Sequence, residues 1–531
     1  MNPKPSAVVD ARAARPPVIN LQSPLLGKPA RRRHHRVPLL RRVRLALSIL
    51  SLMGGSLVSA EASEPVSLNP SWAHPVSRVR MELTVKGNVH LAPRPDADSS
   101  RQQRLPLDGK VTVDFEERIL RPAGTRQDSE IIAVERQYHQ AEGASTLSKT
   151  QQTSGLRPEA THVLARRDQL PETIYSQDTY LTQDELDLLG TPISASSLDR
   201  LIPETPLKPG DEMAIESSRL ASAFNLSGVA DSDVKISLVE SDAKSAKLLM
   251  RGKIDGSVRG VPTVQRILAK LTFDRVQRTV TWAAVAIHET REIGKSEPGF
   301  DVQATVRMIR QPLPGPQRLP KVAATVDFAK PVPSSRLLKA VGSDEVRAAA
   351  LLDRRWHLIQ DSPGQAVLKM IDNELTIAQC NLRPLAKLKP GEQITLDAFQ
   401  RDCVRTLGKQ ASGLLEAGES LSETGLRVLR VAAAGEVQGV PIHWILLHFS
   451  DDSGRRVLAT LTMDADRVEE LDGSDVQLVA TMTITDGQSA GVIESISSTK
   501  TSIESGTNEV ESEVQTSDEV ISASDLGSKK R

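Results

Sequence analysis

Along much of the chain apolar and polar residues alternate with the period of two that a half-buried strand imposes. The clearest stretch is 426–461, LRVLRVAAAGEVQGVPIHWILLHFSDDSGRRVLATL. Residues 426–433 and 440–449 flank a turn holding Gly435 and Gly439, and 457–461 follows a second turn, 450–456, rich in Asp, Ser and Gly. This predicts three antiparallel strands in succession. The central one carries Ile442, Trp444, Leu446 and Leu447, so Trp444 is expected in the core.

The same alternation predicts a β-rich domain over 76–310. Residues 79–90, 109–120 and 129–138 read as strands, and 156–166 is ambiguous. A helical insert follows. Thr182-Gln183-Asp184-Glu185 has the form of a capping box ahead of Leu186, Leu188 and Leu189. The proline-bearing stretch 191–209 predicts short helical turns, and 217–226 a second helix with Leu220, Ala221 and Phe224 on one side. Hairpins are predicted over 234–258 and 267–289, and 302–309 closes the run. The expected architecture is α+β. Its first domain is a curved antiparallel sheet or half-barrel with a small helical insert.

Gln311-Pro312-Leu313-Pro314-Gly315-Pro316 marks a boundary, and 311–335 reads as an extended, proline-rich linker that spaces two domains. The second domain spans 336–484. Residues 346–352 are expected as a short helix, and 356–360, 366–372 and 374–382 as strands. Leu396, Phe399, Cys403 and Leu407 recur at three or four residues behind Thr395, which predicts an N-capped helix with one buried face. After the three strands, 476–484 is expected as a final strand. This order is that of an antiparallel-sheet α/β sandwich. From 485 to 531 the chain is Ser, Thr, Glu and Asp with few large apolar residues, and a disordered acidic tail is expected.

Length and charge then narrow the class. At 531 residues the chain exceeds a single ordinary core. Lys plus Arg equals Asp plus Glu, 67 each, so no general attraction to nucleic acid is expected. The first 62 residues are expected to form a disordered extension and a leader. A basic cluster (Arg31 to Arg36, then Arg41, Arg42 and Arg44) precedes an apolar run over 45–58, and Val58-Ser59-Ala60 has the small residues of a cleavage site. Export is expected, with cleavage near Ala60 or Ala62. The alternative is a membrane anchor at 45–60, although that run is short of the ~20 residues a spanning helix needs. Membrane contact is expected only through such an uncleaved anchor.

Candidate chemistry is sparse. His443 and His448 lie five apart in one strand and point to opposite faces, which does not suit a metal site. Asp451-Asp452 lacks the alternating acids and distal Glu of a calcium loop. Asp231-Ser232-Asp233 and His288-Glu289 read as turn and strand-edge polar groups. Gly252, Gly256 and Gly260 suggest bulges or bends. There is no P-loop and no G-x-G-x-x-G. No catalytic residue, metal ligand or cofactor is assigned. Cys380 and Cys403 are the only cysteines, and three readings stay open: two buried free thiols, a disulfide favoured by an oxidising compartment, or a reactive thiol.

The second domain resembles the PsbP-like fold. The resemblance rests on Trp356, on Thr376 to Asn381 (TIAQCN) and on Leu396 to Gln400 (LDAFQ). It also rests on Gly425 to Val431 (GLRVLRV) and Pro441 to Trp444 (PIHW). It implies an α/β/α sandwich used chiefly as an interaction module. The first domain resembles β-rich domains of uncharacterised secreted planctomycete-type bacterial proteins, and loosely the half-barrels of periplasmic lipid carriers. The expected function is a secreted or periplasmic, non-enzymatic protein that binds an envelope partner or small ligand. Two alternatives stand beside it: a lipid or apolar-ligand carrier using the first sheet, and an enzyme whose residues converge without a motif.

Overall fold

The computed structural model describes residues 64–71, 76–91, 103–126, 130–294, 298–372 and 374–485. The expected extension and leader, the tail beyond Thr485, and Asn373 of the expected Asp372-Asn373 turn lie outside the described residues. The first domain is built on one antiparallel sheet of thirteen strands. In chain order the elements begin with β1 (Val76–Leu91), β2 (Gln103–Leu120), β3 (Ala133–Leu147), β4 (Thr150–Gly155), β5 (His162–Arg166) and β6 (Thr173–Tyr175). Then come β7 (Leu181–Thr182), α1 (Gln183–Leu189), β8 (Glu212–Ala214) and α2 (Ser217–Phe224). The rest are β9 (Gly228–Ser232), β10 (Lys235–Ser241), β11 (Ser245–Val258), β12 (Val261–Asp274), β13 (Thr279–Arg291) and β14 (Gly299–Leu313). The strand path is β6-β5-β3-β2-β1-β14-β13-β12-β11-β10-β8, with β4 paired to β3 and β9 to β11.

The alternation does what the period of two requires. On β12 every second residue from Val261 to Phe273 is buried, while Arg266, Leu268 and Lys270 face out. The inner face closes over the insert. Leu189, Ile193, Leu198, Leu220 and Phe224 share one core with Val113 on β2, Val163 on β5 and Ile236 on β10. The insert starts where the capping box predicts: Thr182 Oγ1 accepts the Glu185 N–H at 3.2 Å, and the Glu185 carboxylate accepts the Thr182 N–H at 2.9 Å. Gly252 fits where the sheet narrows. A Cβ there would sit 2.5 Å from the Val234 Cα, at a φ of +151°.

Residues 314–337 have no regular element beyond a 3₁₀ turn at Ser334–Arg336, as their prolines require. They do not hang free as a spacer. Ala324, Val326, Phe328 and Val332 pack on Leu120, Ala133, Leu164 and Tyr175, on the outer face of β2, β3, β5 and β6. The first three residues of the expected linker, 311–313, are the end of β14.

The second domain continues with β15 (Leu338–Ser343), β16 (Ala348–Asp353), β17 (Trp356–Ser362), β18 (Gln365–Asp372), β19 (Leu375–Leu385), α3 (Leu396–Leu407) and β20 (Ala411–Leu421). It ends with β21 (Arg427–Val437), β22 (Val440–Ser450), β23 (Arg456–Asp464), α4 (Ser474–Thr481) and β24 (Thr483–Ile484). A seven-stranded sheet runs β17-β18-β19-β23-β22-β21-β20, and a four-stranded one runs β24-β16-β15-β7. Thus β7 of the first domain pairs in parallel with β15, Leu181 beside Lys339. On β22 the even residues Ile442, Trp444 and Leu446 pack under α3, and the odd residues Ile445, Leu447 and Phe449 join the core that holds α4. The architecture is the expected one, a β-rich sheet domain followed by a smaller α/β sandwich, and Trp444 is 1% exposed.

Two elements differ from the sequence reading. Residues 346–352, expected as a helix, form β16. Its Ala348 and Ala350 face one core and its Ala349 and Leu351 another, so a strand buried on both faces shows no alternation. Residues 476–484, expected as a strand, are α4 and only two residues of β24. Leu478 and Met482, four apart, share one buried face, and Val476 points to solvent.

Candidate functional site

The charged residues of the first domain sort into buried networks and one open surface. The run Phe115-Glu116-Glu117-Arg118 on β2 and Val134-Glu135-Arg136 on β3 places acids and arginines on both faces of adjacent strands. On the inner face Arg136 pairs with Glu117 at 2.8 Å and with Glu172 at 2.6 Å. Arg167 also holds Glu172 at 2.6 Å and donates to the Ser222 carbonyl of α2 at 2.6 Å. Burial pushes the Glu172 pKa up, but the two arginines win and hold it at about 2. A second inner lock joins Asp199 of the insert to Arg310 on β14 at 2.6 Å, with Thr279 donating to the same carboxylate at 2.9 Å.

On the outer face Glu116 accepts the backbone N–H groups of Gln317, Arg318 and Leu319 at 2.9, 2.9 and 3.1 Å, and His139 lies 3.2 Å away. Burial raises the Glu116 pKa and these donors lower it, to a net value below the ordinary range. Glu135 pairs with Arg118 at 3.0 Å and with His162 at 2.9 Å. These groups are tied into positioning the insert and the 314–337 strap. The sequence reading placed 109–120 and 129–138 in strands and singled out none of these charges. Acids and arginines lodged inside an otherwise apolar strand were the signal of a paired, buried set.

The residues singled out from sequence do not converge. His443 and His448 stand on opposite faces of β22, as their spacing predicts. His288 pairs with Asp301 across β13 and β14 at 2.9 Å. Asp451 caps its own turn, accepting from Arg455 and Ser453. Asp233 accepts the Lys253 N–H. Cys380 and Cys403 are free thiols, buried in two different cores on opposite faces of the seven-stranded sheet. Burial pushes both thiols up to about 12, far from the thiolate a nucleophile needs. Cys380 also lines a narrow apolar cavity with Trp356, Leu368 and Leu478, where the Trp356 indole N–H finds no acceptor. Among the described residues no group of three His, Cys, Asp or Glu could hold a metal ion. The inner face that a lipid carrier would use is filled by the insert.

One open surface of the first domain is the outer face of β12, β13 and β14. Trp282 on β13 is 38% exposed and lies directly opposite Ile309 on β14, itself 59% exposed. Further along, Leu268 on β12 is 50% exposed and lies opposite Ala286. Lys270 and Arg307 flank Ala284 on its two sides, and Arg266 lies opposite His288. Arg266, Lys270 and Arg307 are exposed, and none has an ion pair among the described residues. Cations at the margins of this face are matched: Arg80 with Glu82, Lys247 with Glu240, Arg251 with Glu212. Apolar side chains interleaved with unmatched cations on a hydrogen-bonded sheet form a rigid surface complementary to an acidic, partly apolar one.

Among the described residues no helix is long and apolar enough to cross a membrane. No family model matches the chain, and no curated protein matches it at a significant level. Cyanobacterial PsbP from Synechocystis sp. PCC 6803 is similar over 30% of this chain and 98% of its own, at 13% identity and a TM-score of 0.22. A protein from Bacteroides thetaiotaomicron VPI-5482 is similar over 28% of this chain at 11% identity and a TM-score of 0.21, and the match spans about half (49%) of that protein's length. A Pseudomonas aeruginosa protein of unknown function is similar over 26% of this chain and 92% of its own, at 10% identity and a TM-score of 0.16. These are weak, low-identity likenesses to small soluble domains, PsbP-like among them. They identify no family and carry no argument about activity.

Proposed function

We propose that the chain is an extracytoplasmic, non-enzymatic binding protein whose working surface is the outer face of β12 to β14, and that its partner is an acidic component of the envelope. The observation that supports this is the set Leu268, Trp282 and Ile309 interleaved with the unmatched Arg266, Lys270 and Arg307. Trp and Arg are the side chains that most often dominate binding energy. The basic leader and its small-residue cleavage site support export.

The test is paired capture from envelope extract, with proteins and lipids both identified. The wild type is compared with a Trp282→Ser/Ile309→Ser variant. Both positions face solvent, so the variant should melt within a few degrees of wild type. Species held by the wild type should fall about tenfold or more on the variant, and on wild type at about 0.5 M salt. Equal recovery on both proteins would contradict the reading.

A further inference from the structure

The same face has an occupant encoded in the chain itself. Residues 504–525 carry seven acids (Glu504, Glu509, Glu511, Glu513, Asp518, Glu519 and Asp525) and no Lys or Arg. Valines and isoleucines stand among them: Val510, Val514, Val520 and Ile521. The outer face of β12 to β14 offers the reverse, with three unmatched cations around exposed Trp282, Ile309 and Leu268. At its edge Asp301 is already taken by His288, and Glu82, opposite Arg307 on β1, is paired with Arg80. We propose that the acidic segment 504–525 docks on this face and competes with the external partner. The inference rests on the binding surface described under Proposed function, and it adds a regulator of that surface.

Reach does not limit the contact. Glu509 lies 24 residues on from Thr485, and an extended chain of that length covers roughly 80 Å. A folded body of this size has a radius of gyration of ~23 Å, so nearly all of its surface lies within range. Tethering also supplies an effective concentration on the order of 1 mM. A millimolar interaction, of the strength that a few screened charge pairs provide, then suffices to cover the face about half the time. Such a cover is loose enough for a tighter external ligand to displace. It also keeps an apolar patch with unmatched cations from recruiting chance partners during export.

The experiment uses the full chain and zero-length carbodiimide coupling, which joins the Lys270 amine to a carboxylate in contact with it. Coupled peptides are mapped by mass spectrometry, and amine labelling of Lys270 is measured on the full chain and on a chain ending at Thr485. The expected result is coupling of Lys270 to 504–525, lost at about 0.5 M salt. Labelling of Lys270 should be at least about twofold faster in the shortened chain, as expected when a cover present half the time or more is removed. Charge reversal by Arg266→Glu and Arg307→Glu should reduce the coupling without altering the melting temperature. Coupling spread evenly over exposed lysines such as Lys389 and Lys409, or labelling unchanged by truncation, would overturn the proposal. It fails equally if Lys270 is protected only by added anionic vesicles or by raising the protein concentration, since a membrane or a second copy would then be the cover. The outcome separates from that of the binding surface. A tail that docks on a face capturing no partner leaves this inference standing. A face that captures its partner equally well with and without the tail removes this inference alone.

Discussion

His448 is the residue whose environment makes the sharpest demand. Its side chain is 1% exposed on β22, and its ring centroid lies 5.6 Å from that of Phe399 on α3. Neither ring nitrogen finds a hydrogen-bond partner among the described residues. Burial, helped by the nearby Arg456 and Arg427 charges, pushes its pKa down to about 4. The imidazole is therefore neutral in the folded protein and titrates near 6.5 when unfolded. Folding is favoured in full above pH 6.5. The contribution is lost as pH falls from 6.5 to 4, because the unfolded chain takes up a proton that the folded chain refuses. The shift corresponds to about 3 kcal/mol. Denaturant titrations of the wild type and a His448→Leu variant should diverge by about this amount between pH 7 and pH 4, with the variant flatter. Parallel pH profiles would show that the ring is hydrated or paired in solution.

At the scale of elements, the 314–337 strap shows how buried charge does structural work. Glu116 accepts three consecutive strap N–H groups, and leaving a buried donor unpaired costs roughly 1–3 kcal/mol. Glu116→Ala should release the strap locally, so that limited proteolysis within 314–337 speeds up about tenfold while the overall melting temperature falls only modestly. An unchanged cleavage rate would mean that Phe328 and its apolar neighbours hold the strap alone. The strap also marks how far sequence reasoning reached. β12, which buries one face, was legible because the alternation records the burial directly, and β22, buried on both, was legible as a long apolar run between two turns. The α1 start was legible because its cap is local. β16 was not, since a strand buried on both faces lacks the period. β20 was not, because its two register shifts break the alternation on an exposed edge. The candidate site was half visible. Trp282, Leu268 and Ile309 sit at outward positions of a correctly read sheet, but their lack of cover depends on where the strap and insert lie, and these are long-range facts. The opposite-face placement of His443 and His448 followed from spacing alone.

At the scale of the whole molecule, the first sheet has two faces with separate duties. The inner one is closed by the helical insert, fastened by Arg167 to Ser222 and by Arg310 to Asp199, with Glu172 held between Arg136 and Arg167 beside it. The outer one is closed by the strap over β2, β3 and β5 and is open over β12 to β14. The second domain takes β7 of the first into its small sheet, so the sheet domain and the sandwich are joined by backbone hydrogen bonds as well as by the strap. The central claim, that the open face is the binding surface, is tested most directly by hydroxyl-radical footprinting of the chain ending at Thr485, with and without envelope extract. The account predicts that Trp282, Leu268 and Ile309 are each protected about threefold or more in the extract, with protection lost at about 0.5 M salt. Unchanged reactivity at all three, with protection appearing elsewhere on the molecule, would contradict it.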